Sequence, residues 1–165
     1  GAFNQVDIIA ALTGGWYLQG PYGALNPGGQ TGDGQTSIKY DPATGEVGVD
    51  TPAGVDLTSV NIDSTAGIFS GDPAQNLGGS FDNDSDTNIF KATFGSSFGS
   101  LSFGNVAQAG LSEAFVADDL TVMGSLNGGG DLGAVDLIYV PEPSSVLLCM
   151  FGFVTLLAAS SRRSR

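Results

Sequence analysis

The sequence predicts a mainly β protein, with a small β-sandwich or jelly-roll body, an N-terminal helix and a single C-terminal transmembrane helix. The 165 residues include 26 glycines and 7 prolines, which indicates many turns and short strands. An apolar fraction of 41% is enough to form a core, so disorder of the whole chain is not expected. The most apolar run lies close to the C-terminus and is followed by arginines.

The first residues predict a short helix, which begins near Asn4 and ends before a Gly-Gly pair. They also resemble the second half of a dockerin-type calcium repeat, with Asn4 at the ninth loop position and Asp7 at the twelfth. The resemblance implies a partial loop whose first ligands would precede Gly1. Because Ca²⁺ takes about six to eight oxygen ligands, we expect no calcium here. An ordinary capped helix explains these residues equally well.

Residues 1–25 are therefore expected to form one segment, followed by a Gly/Pro-rich linker at 26–34 and a β-sandwich domain at 35–140. Three aromatic residues close the first segment and have two interpretations. They could stack on a sugar, but packing of the helix against the body is the expected role. They are Trp16, Tyr17 and Tyr22.

The body predicts about eight strands, with turns every 8–12 residues or so. The first two strands form a hairpin around Ile38–Tyr40 and Val47–Val49, because residues 41–45 are typical of a turn. The other predicted strands are Val55–Ile62, Gly67–Phe69, Ile89–Phe94, Ser100–Val106, Leu120–Leu126 and Val135–Val140. A short helix or a loop is expected at Leu111–Ala117.

Alternation within these strands predicts which side chains share a face. Val60 and Ile62 are expected on one face of their strand, and Phe90, Ala92 and Phe94 on one face of theirs. The body also resembles, in residues 36–46, 67–69 and 115–120, a recurrent extracellular module of planctomycete surface proteins. That resemblance implies no particular activity.

The charge of the chain is unevenly distributed. The formal net charge is −12, and residues 1–140 hold 16 acids but only two lysines. A strongly acidic body is a poor partner for polyphosphate backbones, so no nucleic-acid binding is expected. The chain has no histidine and one cysteine, which excludes a Ser-His-Asp triad and a Cys-His dyad. We therefore expect a protein that is not an enzyme.

One acidic patch in the body has the pattern of a cation site. Asp82, Asp84 and Asp86 match the first half of an EF-hand loop, but Thr87 replaces the required glycine and Thr93 replaces the bidentate glutamate. The patch predicts at most a weak surface calcium site, and a solvated Asp/Asn-rich turn is the alternative. No other cofactor is expected. A second acidic pair, Asp118-Asp119, is expected at the surface.

The C-terminal apolar run is long enough to span a membrane. A helix from Pro143 to Ser161 would extend about 28 Å at 1.5 Å per residue, close to the roughly 30 Å hydrocarbon core of a bilayer. A buried core helix is the alternative, but such a helix is normally amphipathic. The positive-inside rule places the arginines in the cytoplasm and the acidic body outside. These topogenic residues are Arg162, Arg163 and Arg165.

The same tail resembles the PEP-CTERM protein-sorting signal, which has also been labelled an ice-binding protein C-terminal region. The motif residues Val140, Pro141, Glu142, Pro143 and Ser144 precede the apolar helix and the arginines in the order and spacing of that signal. The resemblance implies recognition by an exosortase, a membrane protease that cleaves near the motif and passes the protein to the cell surface. An anchor that is never cleaved is the alternative.

These features together predict an exported protein of structural or adhesive type. It would be held in the inner membrane by residues 143–161 and would reach the cell surface or the exopolysaccharide after cleavage. A carbohydrate-binding module displayed by the same signal is the alternative function. Ice binding is less favoured, because the sequence has no Thr-x-Thr ladder.

Overall fold

The computed structural model describes residues 23–79 and 81–140, which form a mainly β structure with two five-stranded sheets and one short helix. This confirms the predicted mainly β class. The elements are β1 (Gly23–Ala24), β2 (Asn26–Pro27), β3 (Thr36–Asp41), β4 (Glu46–Asp50), β5 (Leu57–Ser64), β6 (Asn83–Ser85), β7 (Asn88–Ala92), β8 (Leu101–Gly104), α1 (Glu113–Asp119), β9 (Leu120–Leu126) and β10 (Val135–Tyr139).

The two sheets differ in their strand directions. The first sheet has the order β1-β9-β5-β7-β6, and each neighbouring pair in it is antiparallel. The second sheet has the order β2-β10-β3-β4-β8, and in it β10 runs parallel to both β2 and β3. The last strand of the described chain is therefore inserted in the sheet between two earlier strands.

The two sheets share one hydrophobic core. Residues that alternate along the strands point into it, including Val60 and Ile62 of β5 and Ile38 and Tyr40 of β3, each 0% exposed. The expectation that Val60 and Ile62 share one face is thus confirmed, and that face is buried. Burying every second side chain of these strands leaves the intervening residues for the two outer faces.

The two sheets are joined at one edge by a single residue. Ala24 of β1 pairs with β9 in the first sheet, Asn26 of β2 pairs with β10 in the second, and Leu25 between them is buried at 4% exposure. The predicted linker at 26–34 therefore begins inside the second sheet. Alternation in the sequence does not predict β1 and β2, because a strand of two residues is too short to show a pattern.

The predicted strands agree with the structure with small shifts, apart from one. The predicted Leu120–Leu126 strand has the bounds of β9, and the predicted hairpin is β3–β4, with Tyr40 opposite Val47. Gly67–Phe69 is not a strand. It is a loop whose Ile68 and Phe69 fill the core, and Phe69 N–H donates to the carbonyl of Asp86 at 3.0 Å.

The side chain of β7 that enters the core is that of Ile89. Ile89 is 0% exposed, whereas Phe90 is half-buried on the other face and Phe94, beyond the end of β7, is 77% exposed. The cross-strand pairing explains this, because Ile89 lies opposite the buried Ile62. Phe90 instead faces outward opposite Asn61.

The helix α1 is where a short helix or a loop was expected. The Ser112 hydroxyl accepts a hydrogen bond from the Phe115 N–H at 3.3 Å and caps its first turn. The Tyr40 hydroxyl binds the segment directly before this helix. It donates a hydrogen bond to the Gln108 carbonyl at 2.6 Å and accepts one from the Leu111 N–H at 3.2 Å. Burial raises the pKa of Tyr40, so this phenol stays protonated.

In the described part of the chain, no helix has the length and apolarity needed to cross a membrane. The predicted N-terminal helix and the predicted transmembrane helix at 143–161 lie outside the described residues.

The turn of the β3–β4 hairpin depends on Gly45. Its φ is +75°, which favours glycine, and a Cβ atom there would overlap the carbonyl oxygen of Ala107. The Ala107 N–H also donates to the Gly45 carbonyl at 3.0 Å, so the segment after β8 docks directly on this turn.

We expect Gly45→Ala to destabilise the protein more than Gly54→Ala. Gly54 has a similar φ of +80°, but nothing lies within 4 Å of the position its Cβ would take. Gly54→Ala should therefore cost only the left-handed backbone strain, about 1–2 kcal/mol. Urea unfolding of the two variants measures the difference, and equal losses of unfolding free energy would contradict the close docking of residue 107.

Candidate functional site

The predicted sorting residues are only partly within the described chain. Val140 is described: its N–H donates to the Tyr40 carbonyl at 2.9 Å, which continues the pairing of β10 with β3. The other predicted motif residues and the three arginines lie outside the described residues, as do Asn4 and Asp7 of the predicted dockerin loop. The first residue of the motif thus lies directly after the end of β10 and is still hydrogen-bonded to β3.

Asp82, the first predicted calcium ligand, anchors a loop through its carboxylate. Its Oδ2 atom accepts hydrogen bonds from the N–H groups of Gly78 and Gly79 at 2.9 Å, and Oδ1 accepts one from Ala92 at 2.9 Å. The Nζ atom of Lys91 lies 3.8 Å from Oδ2, and the Asp82 side chain is 3% exposed. The protein's own donors therefore occupy this carboxylate.

Lys91 belongs to the same buried arrangement. Its ammonium donates to the Asn76 carbonyl at 2.6 Å and lies 5.4 Å from the centroid of the Phe98 ring. Its side chain is 13% exposed. Lys91 and Asp82 together tie the loop before β6 to strand β7, so the pair has a structural role.

The structure does not assemble the predicted calcium set. Asp84 Oδ2 accepts a hydrogen bond from the Ala74 N–H at 2.8 Å. Asp84 and Asp86 both line an open hollow of about 260 Å³. The third acid of that hollow is Asp72, not Asp82. Among residues 23–79 and 81–140, no three acidic, cysteine or histidine side chains are grouped so that they could hold a metal ion.

The second acidic pair separates into two environments. Asp118 is exposed as expected, but Asp119 is buried at 7% exposure, so the expectation is wrong for this residue. Its carboxylate accepts hydrogen bonds from the Ser64 hydroxyl and from the Ala66 N–H. Asp119 lies at the junction of α1 and β9, where it fixes the turn after β5.

The outer face of the first sheet carries a connected group of polar side chains, which we call the amide cluster. Asn88 Nδ2 donates to Asn61 Oδ1 at 2.6 Å and to Asp63 Oδ1 at 2.7 Å. Asn83 Nδ2 donates to Asn88 Oδ1 at 2.8 Å, and Asn61 Nδ2 donates to Asp63 Oδ2. The four side chains Asn61, Asp63, Asn83 and Asn88 thus form one hydrogen-bonded row across β5, β7 and β6.

Half-buried apolar side chains adjoin the amide cluster. Phe90 of β7 lies opposite Asn61 on one side and opposite Asn83 on the other. Met123 of β9 lies opposite Asn61 on its second side. The outer face therefore alternates amides with flat or flexible apolar groups, and both kinds of group are half-exposed or exposed.

Two phenylalanines project from the open end of the β6–β7 hairpin, and we call them the phenylalanine pair. Phe81 precedes β6 and Phe94 follows β7, and their side chains are 64% and 77% exposed. Their ring centroids are 5.2 Å apart at an interplanar angle of 62°, which is an edge-to-face contact. The strand and turn patterns did not predict this pair, although a phenylalanine inside or beside a polar turn sequence is a signal of exposure.

A groove of about 330 Å³ crosses the outer face of the second sheet. Gly48 lines it, and a Cβ atom there would come within 2.8 Å of the Leu101 carbonyl oxygen. Two hydroxyl–carboxylate hydrogen bonds, from Ser102 to Glu46 and from Ser100 to Asp50, cross it. The polar groups of this groove are Lys39, Asp41, Glu46, Asp50, Ser100 and Ser102.

Comparison of this chain with known protein families, with curated proteins and with solved structures gives no match in any of the three.

The pKa of Asp82 makes a prediction about acid stability. Burial alone would raise this pKa, but the hydrogen bonds from Ala92, Gly78 and Gly79, with the Lys91 ammonium, lower it below the usual 3.8. A lowered pKa in the folded state stabilises the protein above the unfolded-state pKa, and this contribution is lost as the pH falls through the folded-state value. We therefore expect the free energy of unfolding to decrease when the pH is lowered past about 4.

Unfolding free energies measured between pH 7 and pH 3 check this. Asp82→Asn should be less stable than the unmodified chain at pH 7 and should lose less stability on acidification. Asp118→Asn removes an exposed carboxylate and is the matched control, which should keep the acid dependence. Identical pH profiles for Asp82→Asn and the unmodified chain would contradict the role given to Asp82.

Proposed function

We propose that this chain is an exported protein of structural or adhesive type, which an exosortase-type membrane protease recognises through a C-terminal signal of the PEP-CTERM kind. The observation that carries the proposal is the order of three elements in residues 140–165: the Val-Pro-Glu-Pro-Ser motif, the apolar run and the arginines. Each element has a separate physical role in such a signal, and the three resemble it in their order and spacing.

The position of the motif relative to the body supports this proposal. The strand β10 lies between β2 and β3 in the second sheet and ends at Tyr139, directly before the motif. All ten strands of the described residues therefore precede Pro141. Cleavage near Pro141-Glu142-Pro143 would leave the two sheets and their shared core intact.

The motif is also suited to a protease by its own chemistry. Prolines at positions 141 and 143 disfavour a helical conformation in the residue before each of them. An extended backbone is the form that proteases bind along their active-site clefts. On this proposal Pro141, Glu142 and Pro143 are recognition residues of a substrate, and the chain itself is not an enzyme.

On the same proposal the chain has a defined topology. Residues 143–161 would cross the inner membrane, with Arg162, Arg163 and Arg165 in the cytoplasm and the acidic body outside. Cleavage would then release the body to the cell surface. We further infer that the two sheets form a β-sandwich, since one hydrophobic cluster contains residues of both.

A second candidate function is carbohydrate binding by the displayed body. The phenylalanine pair favours it, because adjoining exposed apolar side chains can mark a surface that binds a ligand. The described residues offer no comparable surface for binding calcium or nucleic acid. Ice binding is not favoured either, because the sequence has no Thr-x-Thr ladder.

Expression of the full chain with and without an exosortase tests the sorting proposal. With the protease, we expect the mature protein to lose the residues that follow the Pro-Glu-Pro motif, which removes all three arginines and the apolar run. Intact-mass measurement detects this loss, and membrane fractionation follows the release of the body. An unprocessed chain that stays in the membrane in both strains would contradict the proposal.

Glu142→Gln and Glu113→Gln form a matched pair of variants. Glu142 is the acid of the motif, and Glu113 is an acid of α1 whose side chain accepts a hydrogen bond from the Gly28 N–H. We expect the motif variant to be processed at least about tenfold more slowly, since a factor of ten corresponds to about 1.4 kcal/mol. The Glu113 variant should be processed normally, and equal rates for the two would count against recognition of the motif.

A further inference from the structure

We propose that the phenylalanine pair and the amide cluster form one binding surface for an uncharged polysaccharide, along the outer face of the β6–β7 hairpin. This rests on the proposed display of the body at the cell surface, and it adds the place and the chemical class of the ligand. A sugar ring has a face of C–H groups and an edge of hydroxyl groups. The described surface offers a partner for each.

The phenylalanine pair provides the apolar contact. An aromatic ring is electron-rich on its face, so it attracts the weakly positive C–H groups of a sugar. Phe81 and Phe94 meet edge to face and are each more than half exposed, which leaves ring surface open to such a ligand. Their mutual contact also fixes the two rings before a ligand arrives.

The amide cluster provides the hydrogen bonds. Asn83 lies two residues after Phe81, at most about 7 Å along an extended chain. Each asparagine amide has two donors and an acceptor with two lone pairs, so the internal bonds of the row leave further capacity for hydroxyl groups. Because these side chains already hold one another in place, a ligand would lose little free energy in ordering them.

The charge of the body selects an uncharged polymer over an anionic one. Residues 23–140 contain 15 acids and two lysines, and neither lysine is available to this surface. Lys39 lines the groove on the other sheet, and the Lys91 ammonium is held by Asn76 and Asp82. A polyanion such as a uronic acid polymer would therefore be repelled.

The size of the apolar surface favours a glycan over a protein partner. Two phenylalanine side chains offer at most about 500 Å², even when both are fully buried by a ligand. A stable protein–protein interface buries about 800 Å² on each partner. The surroundings of the pair are polar side chains, which suit a hydroxyl-rich ligand better than an apolar protein surface.

Affinity electrophoresis of the full chain tests the proposal, in native gels with a non-ionic detergent that has no sugar headgroup. The probes are hydroxyethyl cellulose and galactomannan, which are neutral, and alginate, which is anionic. We expect at least one neutral polymer to retard the chain and alginate not to do so. Retardation by alginate alone, or by no polymer, would overturn the proposal.

Variants locate the surface. Phe94→Ala should raise the apparent dissociation constant for the retarding polymer at least about tenfold, and Phe94→Trp should leave that constant unchanged. Phe115→Ala is the matched control, because Phe115 is an exposed phenylalanine of α1, 42% exposed and far along the chain from the hairpin. Asn83→Ala should weaken binding as well, and its unfolding midpoint shows whether the fold is kept.

Three outcomes would contradict the assignment of this surface. One is equal retardation of Phe94→Ala and the unmodified chain. Another is loss of binding in Lys39→Ala, which would place the glycan in the groove of the second sheet. The third is a dimer in sedimentation that Phe94→Ala converts to a monomer with no polymer bound, which would assign the pair to self-association. Processing of the tail is measured separately, so failure of the sorting proposal is distinguishable from each of these.

Discussion

The fold depends on the burial of alternate residues of β5 in the core that the two sheets share. Val60 and Ile62 are fully buried, and β5 pairs with β7 on one side and β9 on the other. A slip of β5 by one residue against β7 or β9 would move every side chain of β5 to the opposite face of the sheet. The register that buries these two residues is also the register that brings Asn88 against Asn61 and Asp63, so the core determines the outer surface.

Several acids that resemble functional groups in the sequence are instead part of the scaffold. Asp82 and Asp119 each accept backbone hydrogen bonds inside the protein, and each holds a long connection that lacks regular secondary structure. A buried carboxylate is stable only where such donors surround it. The strongly acidic composition of the body therefore has two origins: a few buried acids that fix loops, and many exposed acids that set the surface charge.

The sequence predicts well what depends on local pattern. The β3–β4 hairpin and the bounds of β9 follow from alternation and turn residues, and both agree with the structure. It predicts poorly what depends on pairing between distant residues. Local alternation could not show which face of β7 is buried, because Ile89 is selected by its position opposite Ile62. The amide cluster and the phenylalanine pair each join residues from separate strands or loops, so no single stretch of sequence contains them.

The proposed sorting of the chain and its proposed ligand both depend on the charge of the body. If the tail is removed near the motif, all the arginines leave with it, and the released body keeps its large excess of acids over its two lysines. The negative charge of such a body would repel anionic polymers and surfaces. Attachment to a matrix would then require contacts that do not depend on charge, such as stacking on aromatic rings and hydrogen bonds to amides. The exposed surface of the β6–β7 hairpin offers both kinds of contact, and this is the physical reason for joining the two proposals.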